Sequence, residues 1–200
     1  MNIDALYPYV APNVMGCPIP VMEHHVRLSA IDFCNKTRWH EDECIAVNIG
    51  LGRVLLQPDA GLEIANISRV YADGLEVHNK TKQSGLALLS AGSLERFYCV
   101  IGDGEIAINP APAADVLVRV VVTLRPTMDA ATISDQLNEW RDGIASGAVA
   151  RIAALPGQAF TSADMSGYHR ARFDEAVKTA KVKKYMGSSE APQKRFADVF

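Results

Sequence analysis

Six side chains that could ligate a metal or act as nucleophiles, Cys17, His24, His25, Cys34, His40 and Cys44, fall within 28 residues of one another. A tetrahedral zinc site would need three or four of them to converge from spacings such as C-x-x-C or H-E-x-x-H. Neither spacing occurs, and His24 and His25 are adjacent, so on a helix they point about 100° apart. The four cysteines, Cys17, Cys34, Cys44 and Cys99, read as reduced thiols, with Cys34 in a core and the histidines on a surface or interface. Acyl transfer by serine would need a G-x-S-x-G elbow, which neither Ala91-Gly92-Ser93 nor Gly187-Ser188-Ser189 supplies. Phosphate-cradling glycine loops are absent, and Gly102-Asp103-Gly104 reads as a hairpin turn. Glu41, Asp42 and Glu43 read as solvated acids at a helix end, and Trp39 and Trp140 as packing anchors. The expectation is a chain with no catalytic residues, no cofactor and no metal.

The elements that would position these residues change period twice. Residues 1–19, with Pro8, Pro12, Gly16 and Pro18, read as an irregular arm that packs on something. From Pro20 to about Asp42, Met22, Val26, Ala30, Phe33, Cys34 and Thr37 recur at three- and four-residue steps and predict a buried helix. Between Cys44 and Arg125 that spacing gives way to short β-rich runs near 44–56, 63–71, 75–78, 94–101, 105–109 and 116–124, with Asp73-Gly74 as a hairpin turn. After Pro126 the helical period returns through Leu137, Trp140, Ile144, Ala148, Ile152 and Leu155, with Gly143 and Gly147 marking a close crossing. Thr161-Ser-Ala-Asp164 has the form of a capping box opening a last helix through His169, Phe173 and Val177 to about Tyr185.

The pattern predicts an α+β chain: a discontinuous helical bundle from residues 1–43 and 126–185, an inserted antiparallel β-sandwich-like domain over 44–125, and an extended docking tail over 186–200. The chain carries 20 basic and 23 acidic residues, a net −3, which excludes a polybasic, histone-like partner for nucleic acid. Its charge is polarised, with residues 161–200 at +3 and the first 160 at −6. No apolar run is long enough to cross a bilayer and no signal peptide opens the chain, so cytosolic synthesis is expected. The tail is polar but holds Phe196, Val199 and Phe200, apolar anchors of the kind that dock on a partner.

Several stretches resemble one family when taken in order. Gly16-Cys-Pro-Ile-Pro-Val-Met-Glu-His-His-Val-Arg-Leu-Ser-Ala-Ile-Asp-Phe-Cys34, Thr37-Arg-Trp39 and Leu124-Arg-Pro-Thr127 come first. Ile144-Ala-Ser-Gly-Ala-Val-Ala-Arg151, Leu155-Pro-Gly157 and Tyr168-His-Arg-Ala-Arg-Phe173 follow. Over residues 4–185 the chain is similar to the head-to-tail adaptor (connector) proteins of tailed bacteriophages. The resemblance implies a non-enzymatic virion protein of the neck, assembled in the host cytoplasm as a ring of twelve copies beneath the portal. Such a ring extends the DNA channel without sequence-specific DNA contact, and offers an attachment surface to a downstream tail or nozzle protein. It also implies docking to the portal, or to another partner, through the last helix and tail, which in this sequence carry Lys181, Lys183, Lys184, Lys194, Arg195, Phe196, Val199 and Phe200 as the candidate contacts. Two other readings are a stopper or terminator ring of the tail, and a phage-associated metal-dependent hydrolase using the histidine and cysteine cluster.

Overall fold

The computed structural model describes residues 1–50, 52–90, 92, 94–102, 104–113 and 117–186. The chain folds as two compact units, Met1–Trp39 with Ala131–Phe200, and His40–Ala130.

In the first unit the opening arm is a run of short helical turns, Ile3–Leu6, Tyr7–Val10 and Ala11–Asn13. Their apolar residues Ile3, Leu6, Val10 and Val14 recur every three to four positions and are fully buried, each burial contributing about 1.5–3 kcal/mol. The arm is tied at its start, where the Met1 ammonium donates to the Ile133 carbonyl at 2.7 Å and the Ile133 amide returns a bond to Met1 at 2.8 Å.

Helix α1 (Ile19–Thr37) carries the expected stripe, with Met22, Val26, Ala30, Phe33, Cys34 and Thr37 buried. It stops five residues short of Asp42. Thr37 turns its hydroxyl back to the Phe33 carbonyl at 2.8 Å and accepts from the Trp39 amide, while Arg38 takes a left-handed conformation at φ 53°. A tight helical segment, Asp135–Trp140, then leads into α3 (Arg141–Ala153), and α4 spans Ala163–Tyr185. Helix α2 (Lys82–Ser90) belongs to the second unit.

Helix α3 is buried on nearly every side because its residues are small. A Cβ on Gly143 would come within 2.5 Å of Ala176 Cβ, so α3 and α4 cross with backbones close together. Helix α4 is capped by Ser162, whose hydroxyl accepts from the Met165 amide at 3.3 Å, one residue later than the box read from Thr161. Thr161 is occupied elsewhere, donating to the Leu155 carbonyl and accepting from the Gln158 amide.

The expected class, a helical bundle with an inserted antiparallel β-sandwich-like domain, is corrected by the second unit. The chain is a mixed α+β fold whose described strands close into a seven-stranded barrel, in the order β1-β2-β6-β5-β4-β3-β7. The strands are β1 (Glu41–Gly50), β2 (Arg53–Gln57), β3 (Leu62–Ala72), β4 (Leu75–Asn79), β5 (Phe97–Gly102), β6 (Glu105–Asn109) and β7 (Val118–Pro126).

Two strands prevent two separate layers from forming. β1 pairs with β7 through Glu41–Cys44 and with β2 through Ile45–Gly50, so one strand serves both sheets. β4 pairs antiparallel with β3 and parallel with β5. That parallel step needs a crossover, provided by helix α2 (Lys82–Ser90), which the β-rich reading of the segment did not include. Gly85 of α2 lies so close to Cys99 that a Cβ there would approach the Cys99 Cβ to 2.6 Å.

The run read as one strand over 44–56 is two, folded back at Gly50 and Gly52, both at positive φ. Asp73-Gly74 forms its hairpin with both residues at positive φ, whereas Asp103 lies outside the described residues. The barrel interior is filled by Val54, Leu56, Val70, Val77, Ile106 and Ile108, with Val118, Val120, Val122 and Leu124 from alternate positions of β7. Val116, read on the same face, lies outside the described residues.

Candidate docking surface

The side chains that opened the sequence reading do not converge. Cys17, His24, His25 and Cys34 belong to the helical unit, and His40 and Cys44 to the barrel unit. Among the described residues no group of three or more His, Cys, Asp or Glu could hold a metal ion. All four cysteines are buried free thiols, and burial pushes Cys17, Cys44 and Cys99 above the usual thiol range. Burial likewise holds His25, His40 and His169 below the ordinary histidine range, which keeps them neutral near pH 7.

Glu41, Asp42 and Glu43 open β1 rather than ending a helix. Glu41 accepts from the Ser68 hydroxyl at 2.8 Å, and Asp42 from the Glu43 amide at 2.8 Å. Glu43 is held low by its hydrogen bonds from the Arg119 guanidinium. These acids are committed to local pairing and do not surround a cavity.

Of the basic residues assigned to docking, Lys181, Lys183 and Lys184 lie on the last two turns of α4. Along this helix His169, Phe173, Val177 and Ala180 are the buried line, and the rest of the circumference is exposed or half-buried. Phe173 anchors it, meeting the Phe33 ring edge-on at 6.4 Å between centroids. Beyond Ala180 the helix keeps its period but buries no further residue. Val182, Tyr185 and Met186 are 53%, 94% and 76% exposed.

The three lysines of this end have different duties. Lys183 pairs with Glu139 and lies over the rings of Trp39 and Trp140, at 5.5 and 5.9 Å from their centroids. The two indoles stand edge to face at 5.0 Å, and Trp39 Nε1 donates to the Gln136 carbonyl at 3.1 Å. Lys184 donates to the Arg38 carbonyl, at the corner where the left-handed residue ends α1. Lys183 and Lys184 therefore fasten the end of α4 to the α1 corner. Lys181, with Lys178 one turn before it, is exposed and makes no ion pair among the described residues.

Lys194, Arg195, Phe196, Val199 and Phe200 lie outside the described residues. Sequence reasoning missed Glu139 and the indole pair as the partners of Lys183. Their signal was the position of Glu139 beside Trp140 on the helical stripe, but only the fold brings Trp39 to it.

No family model and no curated protein matches the chain. Among the described residues no helix is long and apolar enough to cross a membrane.

What the arrangement offers is an exposed helix end. It carries positive charge at Lys178 and Lys181, without an ion pair among the described residues, apolar side chains at Val182, Tyr185 and Met186, and support from the Lys183 and Lys184 contacts. Such a surface can bind an acidic and partly apolar protein face. Its strength would come from the apolar anchors and its orientation from the charges.

Proposed function

We propose that the chain is a structural, non-enzymatic virion protein, a head-to-tail adaptor that assembles as a ring beneath the portal. It would extend the DNA channel there and present an attachment surface for the next tail component. The observation that carries the reading is the end of α4, a supported helix terminus with exposed Lys178, Lys181, Val182, Tyr185 and Met186 leading directly into the anchor-bearing residues 187–200. The order of the stretches that resemble the adaptor family supports it as well.

The physical logic is that of controlled assembly. A subunit that docks through a helix end and a polar segment with few apolar anchors stays soluble until a partner orders the contact. A closed ring needs two different side surfaces per subunit, and the opposed charges of residues 161–200 and 1–160 favour unlike surfaces meeting.

The test is a double charge reversal at exposed positions, Lys178→Glu with Lys181→Glu, in the full chain. Each lost charge contact contributes about 1 kcal/mol at a partly desolvated rim, so affinity for the portal of the same phage falls tenfold or more. The melting temperature stays unchanged. Equal portal affinity in both proteins would remove α4 from the contact.

A further inference from the structure

The described strands close into a barrel, but the pairings of β4 with its two neighbours cover only part of its length. β4 lies between β3 and β5, pairing with β3 at Val70–Ala72 and with β5 at Phe97 and Tyr98. Past that short bridge, Leu62–Ile67 of β3 pair with β7, and Cys99–Gly102 of β5 lie beside β6. Among the described residues no strand lies on the other side of either stretch. Because β4 lies between β3 and β5, one strand continuing its line would fit between these edges at ideal spacing, which sets them about 9.5 Å apart.

The alternation of ladder bonds shows which backbone groups face the gap. The Leu124 amide donates to the His40 carbonyl at 2.8 Å, and the Thr127 amide to the Gly61 carbonyl at 3.0 Å. Leu124 therefore faces β1, and its register partner Ile64 aims its N–H and C=O away from β7, into the gap. The same alternation, carried past the bulge at Ala65, puts Ile67 opposite Val122 with its backbone groups also turned to the gap. On β5 the Lys80 amide donates to the Tyr98 carbonyl at 2.8 Å, so Tyr98 faces β4 and Val100, two residues on, faces the gap. The gap opens on a cavity of about 540 Å³ whose walls include Leu56, Leu62, Ile64, Ile67, Val100 and Arg125. The cavity wall also holds Glu63 and Asn66, and the Lys82 ammonium donates to the Ile101 carbonyl farther along β5. Strand edges above a trough of mixed apolar and polar lining are the two parts of a strand-addition site: backbone bonds hold the added strand, and its side chains fill the trough.

We infer that this seam is a strand-docking groove and that its occupant is the segment 194–200 of another copy of the chain. The inference deepens the ring reading proposed above, since it names one of the contacts between neighbours. Residues 187–200 reach up to about 48 Å when extended. Their first part, Gly187-Ser-Ser-Glu-Ala-Pro192, has linker composition. Lys194-Arg-Phe-Ala-Asp-Val-Phe200 contains no Gly or Pro, and Phe196, Val199 and Phe200 are of types that favour strands. Charge points the same way. Residues 40–130 hold twelve acids against seven Lys and Arg, a net −5, whereas residues 161–200 carry +3. The segment extends the line of β4 and completes the barrel, bonding to Ile64 and Ile67 on one side and Val100 on the other.

The test uses the full chain without portal, so its outcome is independent of portal binding. Hydrogen exchange is followed at the Ile64, Ile67 and Val100 amides, with oligomers counted by native mass spectrometry. The comparison is with a chain carrying Phe196→Asp and Val199→Asp, changes that lie outside the described fold. In the unsubstituted chain these amides exchange at least tenfold more slowly than in the double variant, and its oligomers are absent from the variant. A synthetic peptide of residues 187–200, added in excess to the double variant, restores slow exchange. It fails to do so when Ile64→Pro is also present, because that change removes one N–H aimed at the seam. Equal exchange in the two chains, or an ineffective peptide, would overturn the inference. Slow exchange in a purely monomeric chain at every dilution would overturn the assignment to another copy.

Discussion

A single added carbon at Gly147 would collide with the Ser29 hydroxyl and come within 2.5 Å of the Phe173 ring. Ser29 cannot retreat without giving up its buried 2.6 Å bond to the Ile144 carbonyl. Gly147→Ala, which on an exposed helix would stabilise, is therefore expected to cost about 1–3 kcal/mol, seen as a lower urea midpoint. Protons act on the same scale. His25, His40 and His169 are all held low, chiefly by burial; His24 and Arg151 add to the effect at His25, Arg172 adds to it at His169, and Asp42 opposes it at His40. A folded-state value below the unfolded one means that the unfolded chain binds more protons, so stability is complete above about pH 6.5. It declines as pH falls from there through the depressed folded-state values. Urea titrations at pH 7.5 and 5.5 should show the lower midpoint at pH 5.5, with a smaller difference after His169→Gln. A midpoint unchanged between the two would contradict this account of the histidines.

Among the elements, the turn between β1 and β2 makes the most exacting demand. Gly52 has φ +73°, and a Cβ there would lie 2.6 Å from the Ile108 carbonyl oxygen, a backbone atom that cannot swing aside. Gly52→Ala is expected to destabilise the barrel by about 2–4 kcal/mol, read from the thermal midpoint, because left-handed strain and a backbone collision add. The same turn shows why the sheet was only partly legible. Strand-forming residues flank Gly50 and Gly52 on both sides, so 44–56 reads as one run although the two glycines are the trace of the fold-back. Strand positions elsewhere followed from alternation, as in β7, and the α1 stripe followed from its three-to-four spacing. Closure into a barrel was not legible, because it depends on β1 and β4 each serving two neighbours, a property of register rather than composition. At the docking surface the basic end of α4 could be read from Lys181, Lys183 and Lys184. The division of labour among them could not, since it is set by Glu139, Trp39, Trp140 and the Arg38 carbonyl, all distant in sequence.

For the whole molecule the central claim is that the chain is a ring-forming adaptor, with α4 and the residues after it as its docking end. The polarity of the chain, −6 over residues 1–160 and +3 over residues 161–200, would give such a ring a sense of direction. The most direct measurement combines the purified chain with the portal ring of the same phage, then determines the mass of the complex by native mass spectrometry and its symmetry by electron microscopy. A ring-forming adaptor gives a stoichiometric closed ring of this chain seated on the portal, with α4 at the contact. A portal that emerges bare from an excess of folded chain would contradict that reading.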